Sequence, residues 1–234
     1  MKNSISCPSC RTANPFYQLN CTNCKAYLRE RVYNLDLWKL LEILIENPIK
    51  AFTRIIYSEQ KNFIISIILL VSIKLFIVSI FFSLLKQESS ITISLIPNYL
   101  TILLITLFDL VLTTFLLKVS TNKLKIQTRF ADVLSVLSYS LIPNIFGVII
   151  LFPLELIFFG GYLFSNNPSP FIINPFPAYT LLTLELLLIL WSIFLAISAV
   201  FTLSRTWIYS IFCGFFFSII IYGTVYLSSI LFLY

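Results

Sequence analysis

The sequence predicts an all-α polytopic membrane protein, with five transmembrane helices preceded by a small zinc ribbon and amphipathic interfacial helices. Its 234 residues are 59% hydrophobic and only 11% charged, with a mean hydropathy of +0.94. A soluble domain carries about a quarter charged residues, so this composition belongs to the membrane class. Two Cys-x-x-Cys pairs stand in the polar N-terminal segment.

Three parts follow one another along the chain. Residues 1–32 are the predicted four-cysteine zinc ribbon, 33–62 the amphipathic juxtamembrane helices, and 63–234 the five-helix transmembrane domain. The first part lacks the apolar core of about 7–15 residues that a cleavable signal peptide needs, so we expect none.

The cysteines of the first part have the spacing of a metal site. Cys7 and Cys10 form one pair, Cys21 and Cys24 the other, with ten residues between the pairs. Two such turns present four thiolates to one ion, and a closed set of four is typical of structural zinc. We therefore predict one structural Zn²⁺. An iron–sulfur cluster or a redox pair is the alternative that the spacing leaves open.

The segment between the ribbon and the first span predicts two short amphipathic helices. Asn34 is the predicted N-cap of the first, and Pro48 ends that helix and begins the second. In the second helix Lys50, Arg54 and Lys61 lie opposite apolar residues. The pair either lies on the membrane surface, with its cations near anionic headgroups, or packs on the helical bundle.

Five apolar segments reach the roughly 20 residues that a bilayer of ~30 Å requires. The third contains a Tyr-Ser-Leu-x-Pro element formed by Tyr139, Ser140 and Pro143, and a proline at this position favours a broken helix. Such a break either lines a binding site or is only a kink. The predicted spans are 63–85, 96–118, 133–159, 179–202 and 207–232.

The basic residues predict the orientation. Nine of the sixteen Lys and Arg residues precede residue 62, and the segments 119–132 and 203–206 hold most of the others, whereas the outer segments hold only Lys86. By the positive-inside rule the N-terminus is cytoplasmic and the C-terminus lies outside. The cytoplasmic position of the basic residues thereby accounts for the net charge of +6, and no nucleic-acid partner is expected.

Four ionisable residues fall inside the predicted spans, where such residues mark functional sites by default. Lys74 and Asp109 lie about 16 Å and 14 Å from the inner ends of their spans, so we predict an ion pair, with a proton or cation relay as the alternative. Glu155 and Glu185 share a depth near the outer face. They either line a cation site or accept hydrogen bonds from neighbouring hydroxyls.

Two resemblances carry further expectations. CPSCRTANPF…CTNCKAYL resembles short prokaryotic zinc ribbons written CPxCGxxN…CxxCGxxL, but Arg11 and Lys25 replace the usual glycines, so we expect less tight turns. NPIKAFTRIIYSEQKNF, FADVLSVLSYSLIPNIF and LWSIFLAISAVFTLSRTWIYSIFCGF resemble the YIP family, five-span membrane proteins named for interaction with Ypt/Rab GTPases. Prokaryotic members often carry an N-terminal zinc ribbon, so this resemblance implies a prokaryotic cytoplasmic membrane and a scaffold rather than an enzyme.

The resulting hypothesis is a non-enzymatic membrane scaffold or organiser with a cytoplasmic zinc-ribbon docking module. Its partners are the lipid bilayer and an unidentified cytoplasmic or membrane protein. A homo-oligomer is possible through the small residues Ser192, Ala196 and Ala199. The alternative is a small transporter or channel that uses Glu155 and Glu185 beside the break in the third span. The sequence contains no histidine, which excludes His-based catalytic triads.

Overall fold

The structure, a computed structural model, describes residues 3–84, 95–164 and 168–231. Lys86 and the predicted end of the first span at residue 85 lie outside these ranges. The chain divides into two compact units, which are described separately below. Unit 1 comprises Met1–Ile65, Leu110–Ser140 and Phe194–Phe217, and unit 2 comprises Ser66–Asp109, Leu141–Ile193 and Ser218–Tyr234.

The ribbon in unit 1 begins with a short β-hairpin. Strand β1, Ser4–Ser6, pairs antiparallel with β2, Ala13–Pro15, so that Ile5 lies opposite Asn14. A hairpin this small is marginal in water, and the cysteine turn that joins its strands, with the second turn that follows, must supply the remaining stability. The sequence prediction of an all-α chain is therefore correct for the long elements and omits this hairpin.

Helix α1, Leu37–Glu46, has its N-cap two residues after the predicted one. Asp36, not Asn34, caps it, and its carboxylate accepts the Trp38 N–H at 3.1 Å. The side chains of Trp38 and Ile45 are 81% and 63% exposed. This helix therefore presents large apolar side chains outside the core of unit 1.

Helix α2, Pro48–Tyr57, follows directly and has Pro48 in its first turn, as predicted. Asn47 caps it by accepting the Lys50 N–H at 3.1 Å. Its apolar face packs against α5, Phe130–Ser140. The residues buried on that face are Ala51, Phe52, Ile55 and Ile56. For α2, packing on the bundle is the alternative that the structure supports.

Long apolar helices make up most of the remaining chain. Over the described ranges, four helices are long and apolar enough to cross a membrane. They are Ile96–Lys123, Phe130–Leu163, Pro175–Ser204 and Trp207–Ser228. The first predicted span corresponds to α3, Ile64–Leu84, whose described apolar stretch Ile64–Ile80 is shorter than these four. The other long elements are α4, Leu95–Lys123, α9, Pro175–Ser204, and α10, Trp207–Leu231.

The third predicted span is broken, as its prolines indicated. Helix α5 ends at Ser140, and α6, Ile142–Phe146, carries Pro143 in its first turn. A π-helical segment, Gly147–Leu151, then leads into α7, Phe152–Phe159. A 3₁₀ turn, Gly160–Phe164, and the short helix α8, Pro170–Ile173, precede α9.

Within unit 1, α9 and α10 approach each other closely at Gly214. A Cβ atom on Gly214 would lie 2.7 Å from Cγ1 of Ile197 and 2.8 Å from its backbone nitrogen. Small residues permit such backbone contacts between membrane helices. Ala196 and Ala199 are fully buried. These small residues therefore pack inside the chain.

We expect Gly214→Ala to destabilise the protein by about 1–3 kcal/mol, because the added methyl group meets backbone atoms that cannot move aside. Thermal unfolding in detergent measures the change. Gly223→Ala in the same helix is the matched control, since its Cβ would have no heavy atom within 4 Å. Equal melting temperatures for the two variants would contradict the close helix contact.

Candidate metal centre and buried charged sites

The four ribbon cysteines converge on one point. Their Sγ atoms all lie within 4.8 Å of one another, and all four are free of disulfides. The Cys7–Cys24 and Cys10–Cys21 Sγ separations are both 3.5 Å. Four thiolates bound to zinc at 2.3 Å would lie about 3.8 Å apart. The site thus has the ligand number and spacing for one metal ion such as zinc.

The two cysteine turns repeat each other. The Arg11 N–H donates to the Cys7 carbonyl at 2.9 Å, and the Lys25 N–H donates to the Cys21 carbonyl at 3.2 Å. Arg11 and Lys25 have φ angles of 60° and 61°, the left-handed conformation that favours glycine. The expectation of looser turns is wrong. Each turn keeps the tight geometry. The strained left-handed backbone conformation falls on a residue that has a side chain, Arg11 or Lys25.

A buried asparagine, which the sequence reasoning missed, holds the two turns together. Asn14 is fully buried, and its Nδ2 donates to the Thr12 carbonyl at 2.8 Å and to the Cys21 Sγ at 3.5 Å. Its Oδ1 accepts from both the N–H and the hydroxyl of Thr22 at 2.9 Å. Asn14 occupies the asparagine position of the ribbon pattern, and that match was the available signal.

Hydrogen bonding prepares one ligand for the metal. The hydroxyl and backbone N–H of Thr12 lower the pKa of the Cys10 thiol to about 6. The thiolate is the metal-binding form of cysteine. Cys10 is therefore ready to ligate at neutral pH.

One side of the ribbon packs on helix ends of unit 1. The Asn3 side chain donates to the Leu203 carbonyl at 2.9 Å, at the C-terminal end of α9. The Arg205 guanidinium lies over the Phe16 ring, 5.0 Å from its centroid. The Arg129 guanidinium lies over Tyr17 at 4.8 Å. The ribbon and these helix ends form one packed body.

Asp132, a second residue that the sequence reasoning missed, is the charged centre of this packing. Its side chain is only 1% exposed and accepts two hydrogen bonds from Arg129, at 2.8 and 3.0 Å. Lys61 pairs with the same carboxylate at 3.0 Å and also donates to the Ile55 and Ile56 carbonyls at the end of α2. Burial lowers the pKa of Lys61, and Asp132 opposes that shift. For Lys61, which lies beyond the end of α2, the structure supports the alternative of packing on the bundle over contact with lipid headgroups.

The Tyr-Ser-Leu-x-Pro element has a structural role in α5 and α6. Tyr139 is completely buried, and its hydroxyl donates to the Asn62 carbonyl just before α3. The Ser140 hydroxyl donates to the Leu137 carbonyl at 2.7 Å, and Pro143 begins the new helical stretch. The element therefore fixes the break in the span and the start of α3.

The intramembrane charges in unit 2 pair differently from the prediction. Lys74 forms an ion pair with Glu185 on α9, not with Asp109. Asp109 instead accepts a hydrogen bond from the Thr224 hydroxyl at 2.5 Å. Glu155 on α7 is 6% exposed and lies within electrostatic range of the Lys74 and Glu185 charges. The structure thus brings Lys74, Glu155 and Glu185 together in one cluster.

A basic groove lies beside the juxtamembrane helices. It has a volume of about 540 Å³ and lies between the linker after the ribbon and helices α1 and α2. Over the described ranges Lys39, Lys50 and Arg54 form no ion pair. The polar and charged residues that line the groove include Arg31, Tyr33, Asn34, Lys39, Lys50 and Arg54.

No family model, no curated protein and no solved structure matches this chain. The role of the chain must therefore follow from its own geometry: the cysteine site, the buried Asp132 carboxylate, and the cluster of Lys74, Glu155 and Glu185.

We expect Arg11→Gly and Lys25→Gly each to raise the metal affinity severalfold, because glycine relieves a left-handed conformation that costs other residues roughly 1–2 kcal/mol. Chelator competition against the purified full chain measures the affinity. Ala26→Gly is the control, since Ala26 has no positive φ and gains no relief. An unchanged or lower affinity in both variants would contradict the strained turns.

We expect Asp132→Asn to destabilise the protein by about 3–5 kcal/mol, because it leaves the buried Lys61 ammonium without its counter-charge. Thermal unfolding in detergent is the measurement. Glu59→Gln is the matched control, because its ion pair with Arg31 lies in solvent and contributes little to stability. Similar stability losses in the two variants would show that Asp132 is not the charged centre of unit 1.

Proposed function

We propose that the chain is a non-enzymatic, multi-pass membrane scaffold of the YIP type, whose zinc-folded ribbon is a rigid docking module for a partner protein. The observation that carries this proposal is the two-sided ribbon. One side packs on the helix ends of unit 1 through Asn3, Phe16 and Tyr17. The metal turns on its other side remain exposed.

The exposed side offers specific recognition groups. Tyr27 is 72% exposed, and Arg11 and Lys25 are exposed beside the two cysteine pairs. An exposed aromatic side chain and two exposed cations on one small module suit an acidic partner surface with an apolar pocket. Because the ribbon is attached to the helix ends, a docked partner would be held at a fixed position against the membrane.

Zinc is the ion that suits the site best. The ligands are four thiolates without histidine or carboxylate, and a closed tetrahedral set of this kind is typical of structural zinc. A 32-residue module has little core of its own, so metal binding supplies much of its folding free energy. The metal then has a structural role and takes no part in chemistry.

The proposed orientation places the ribbon in the cytoplasm and the C-terminus outside. Five spans, with α3 as the first, follow from the sequence and agree with a helix of 21 residues. Support comes from unit 1, where segments of the three predicted cytoplasmic parts touch: Asn3 contacts Leu203, and Arg129 contacts Tyr17. The excess of Lys and Arg in these parts favours the cytoplasmic side.

Contact with the bilayer is assigned to α1 and the basic groove. Trp38 and Ile45 are exposed apolar residues on α1, and tryptophan is enriched at membrane interfaces. The groove places Lys39, Lys50 and Arg54 nearby, where anionic headgroups would neutralise them.

Metal analysis and site-specific photo-crosslinking test the proposal. We expect one zinc ion per purified wild-type chain and none in Cys7→Ser/Cys10→Ser, with the helical content of the bundle retained. In native membranes, a photo-crosslinker at position 27 should give one discrete protein adduct that Cys7→Ser/Cys10→Ser abolishes. The same crosslinker at position 38 is the control and should label lipid.

Absence of stoichiometric zinc would contradict the metal assignment. Indistinguishable adducts at positions 27 and 38, or an adduct at position 27 that survives loss of the metal, would contradict a ribbon-mediated docking role.

A further inference from the structure

The cluster of Lys74, Glu155 and Glu185 in unit 2 has a charge imbalance. Two carboxylates face one ammonium group, so the cluster carries a net charge of minus one when all three groups are ionised. Lys74 and Glu155 are 3% and 6% exposed, and the Glu185 side chain is 15% exposed. An uncompensated charge at such a site, inside a membrane bundle, is very unfavourable.

Glu155 is the member of the cluster without a partner. Its Oε2 atom is buried and has no hydrogen-bond partner within the described part of the chain. Leu151 and Phe159, one helical turn before and after it, belong to a buried apolar cluster. The Lys74 ammonium, whose charge acts on Glu155, is paired with Glu185 instead.

The Lys74 side chain runs close to the backbone of the broken span. A Cβ atom on Gly147, the first residue of the π-helical segment, would lie 2.9 Å from Cε and 3.4 Å from Cδ of Lys74. A larger residue at this position would require the end of the lysine side chain to shift. π-Helical segments of this kind occur frequently at functional sites.

A proton neutralises the cluster better than a metal ion does. A metal ion at Glu155 would lie near the Lys74 ammonium and would need several oxygen ligands. Glu185 is already paired with Lys74. Tyr222, on α10, faces Glu185, and its hydroxyl donates to Asn144 Oδ1 at 3.1 Å. A single proton on Glu155 brings the net charge to zero without any further ligand.

We propose that Glu155 is a proton-binding site in the membrane bundle, controlled by the Lys74–Glu185 ion pair. With the proton bound, Glu155 is a neutral carboxylic acid and Lys74 stays on Glu185. When the O–H bond breaks, the proton leaves, the electron pair stays on the carboxylate, and the ammonium group is shared between the two carboxylates. This site is independent of the proposed scaffold role of the ribbon.

Infrared difference spectroscopy of the full chain in lipid vesicles tests this site as a function of pH. We expect a carboxylic-acid C=O band that shifts in D₂O, disappears at high pH, and is missing in Glu155→Gln. Asp109→Asn is the matched control: it removes another buried carboxyl group, which accepts from Thr224, and should leave the Glu155 band in place.

Two further variants test the control by Lys74. Glu185→Gln frees the ammonium for Glu155 and should lower the pH at which the band is lost by about 1–3 units, the range that a nearby opposite charge produces. Lys74→Met removes the only cation of the cluster and should raise that pH. A wild-type spectrum without a band that shifts in D₂O, a band that survives Glu155→Gln, or a pH dependence unchanged in Glu185→Gln would each overturn the proposal.

Discussion

The buried Asp132 carboxylate is the interaction on which unit 1 depends. It binds Arg129, the residue before α5, and Lys61 from the segment between α2 and α3. Arg129 and Lys61 both also donate to the Ile56 carbonyl at the end of α2. One carboxylate and one backbone carbonyl thus hold the cations of two other chain positions at a single point. A group this buried is tolerated only because every charge has a partner.

The ribbon connects the Asp132 carboxylate and its cations with the metal site. Arg129, one of the two cations on Asp132, also lies over Tyr17 of the ribbon, and Phe16 packs on Tyr57 of α2 with ring centroids 5.1 Å apart. The thiolate site and the charged centre are therefore linked by neighbouring residues. Folding of the ribbon around its metal and packing of the juxtamembrane helices should occur together.

The sequence was sufficient for features set by local chemistry. Cysteine spacing identified four thiols that converge as candidate metal ligands, Pro48 identified the boundary between α1 and α2, and Pro143 identified the break in the third span. Prediction from the sequence failed where the direction of a side chain decides which residue it pairs with. Depth along the bilayer matched Lys74 to Asp109, but depth does not determine which helices are neighbours, and Glu185 is the actual partner. Asp132 was missed although its spacing of three residues from Arg129 was visible.

Amide hydrogen exchange of the full chain in detergent, with and without a metal chelator, tests the link between metal site and bundle most directly. Chelation should accelerate exchange in the ribbon and also at residues 126–133 and 203–206, which contain no metal ligand but contact or adjoin the ribbon. Acceleration confined to residues 4–28 would contradict a ribbon that is built into unit 1.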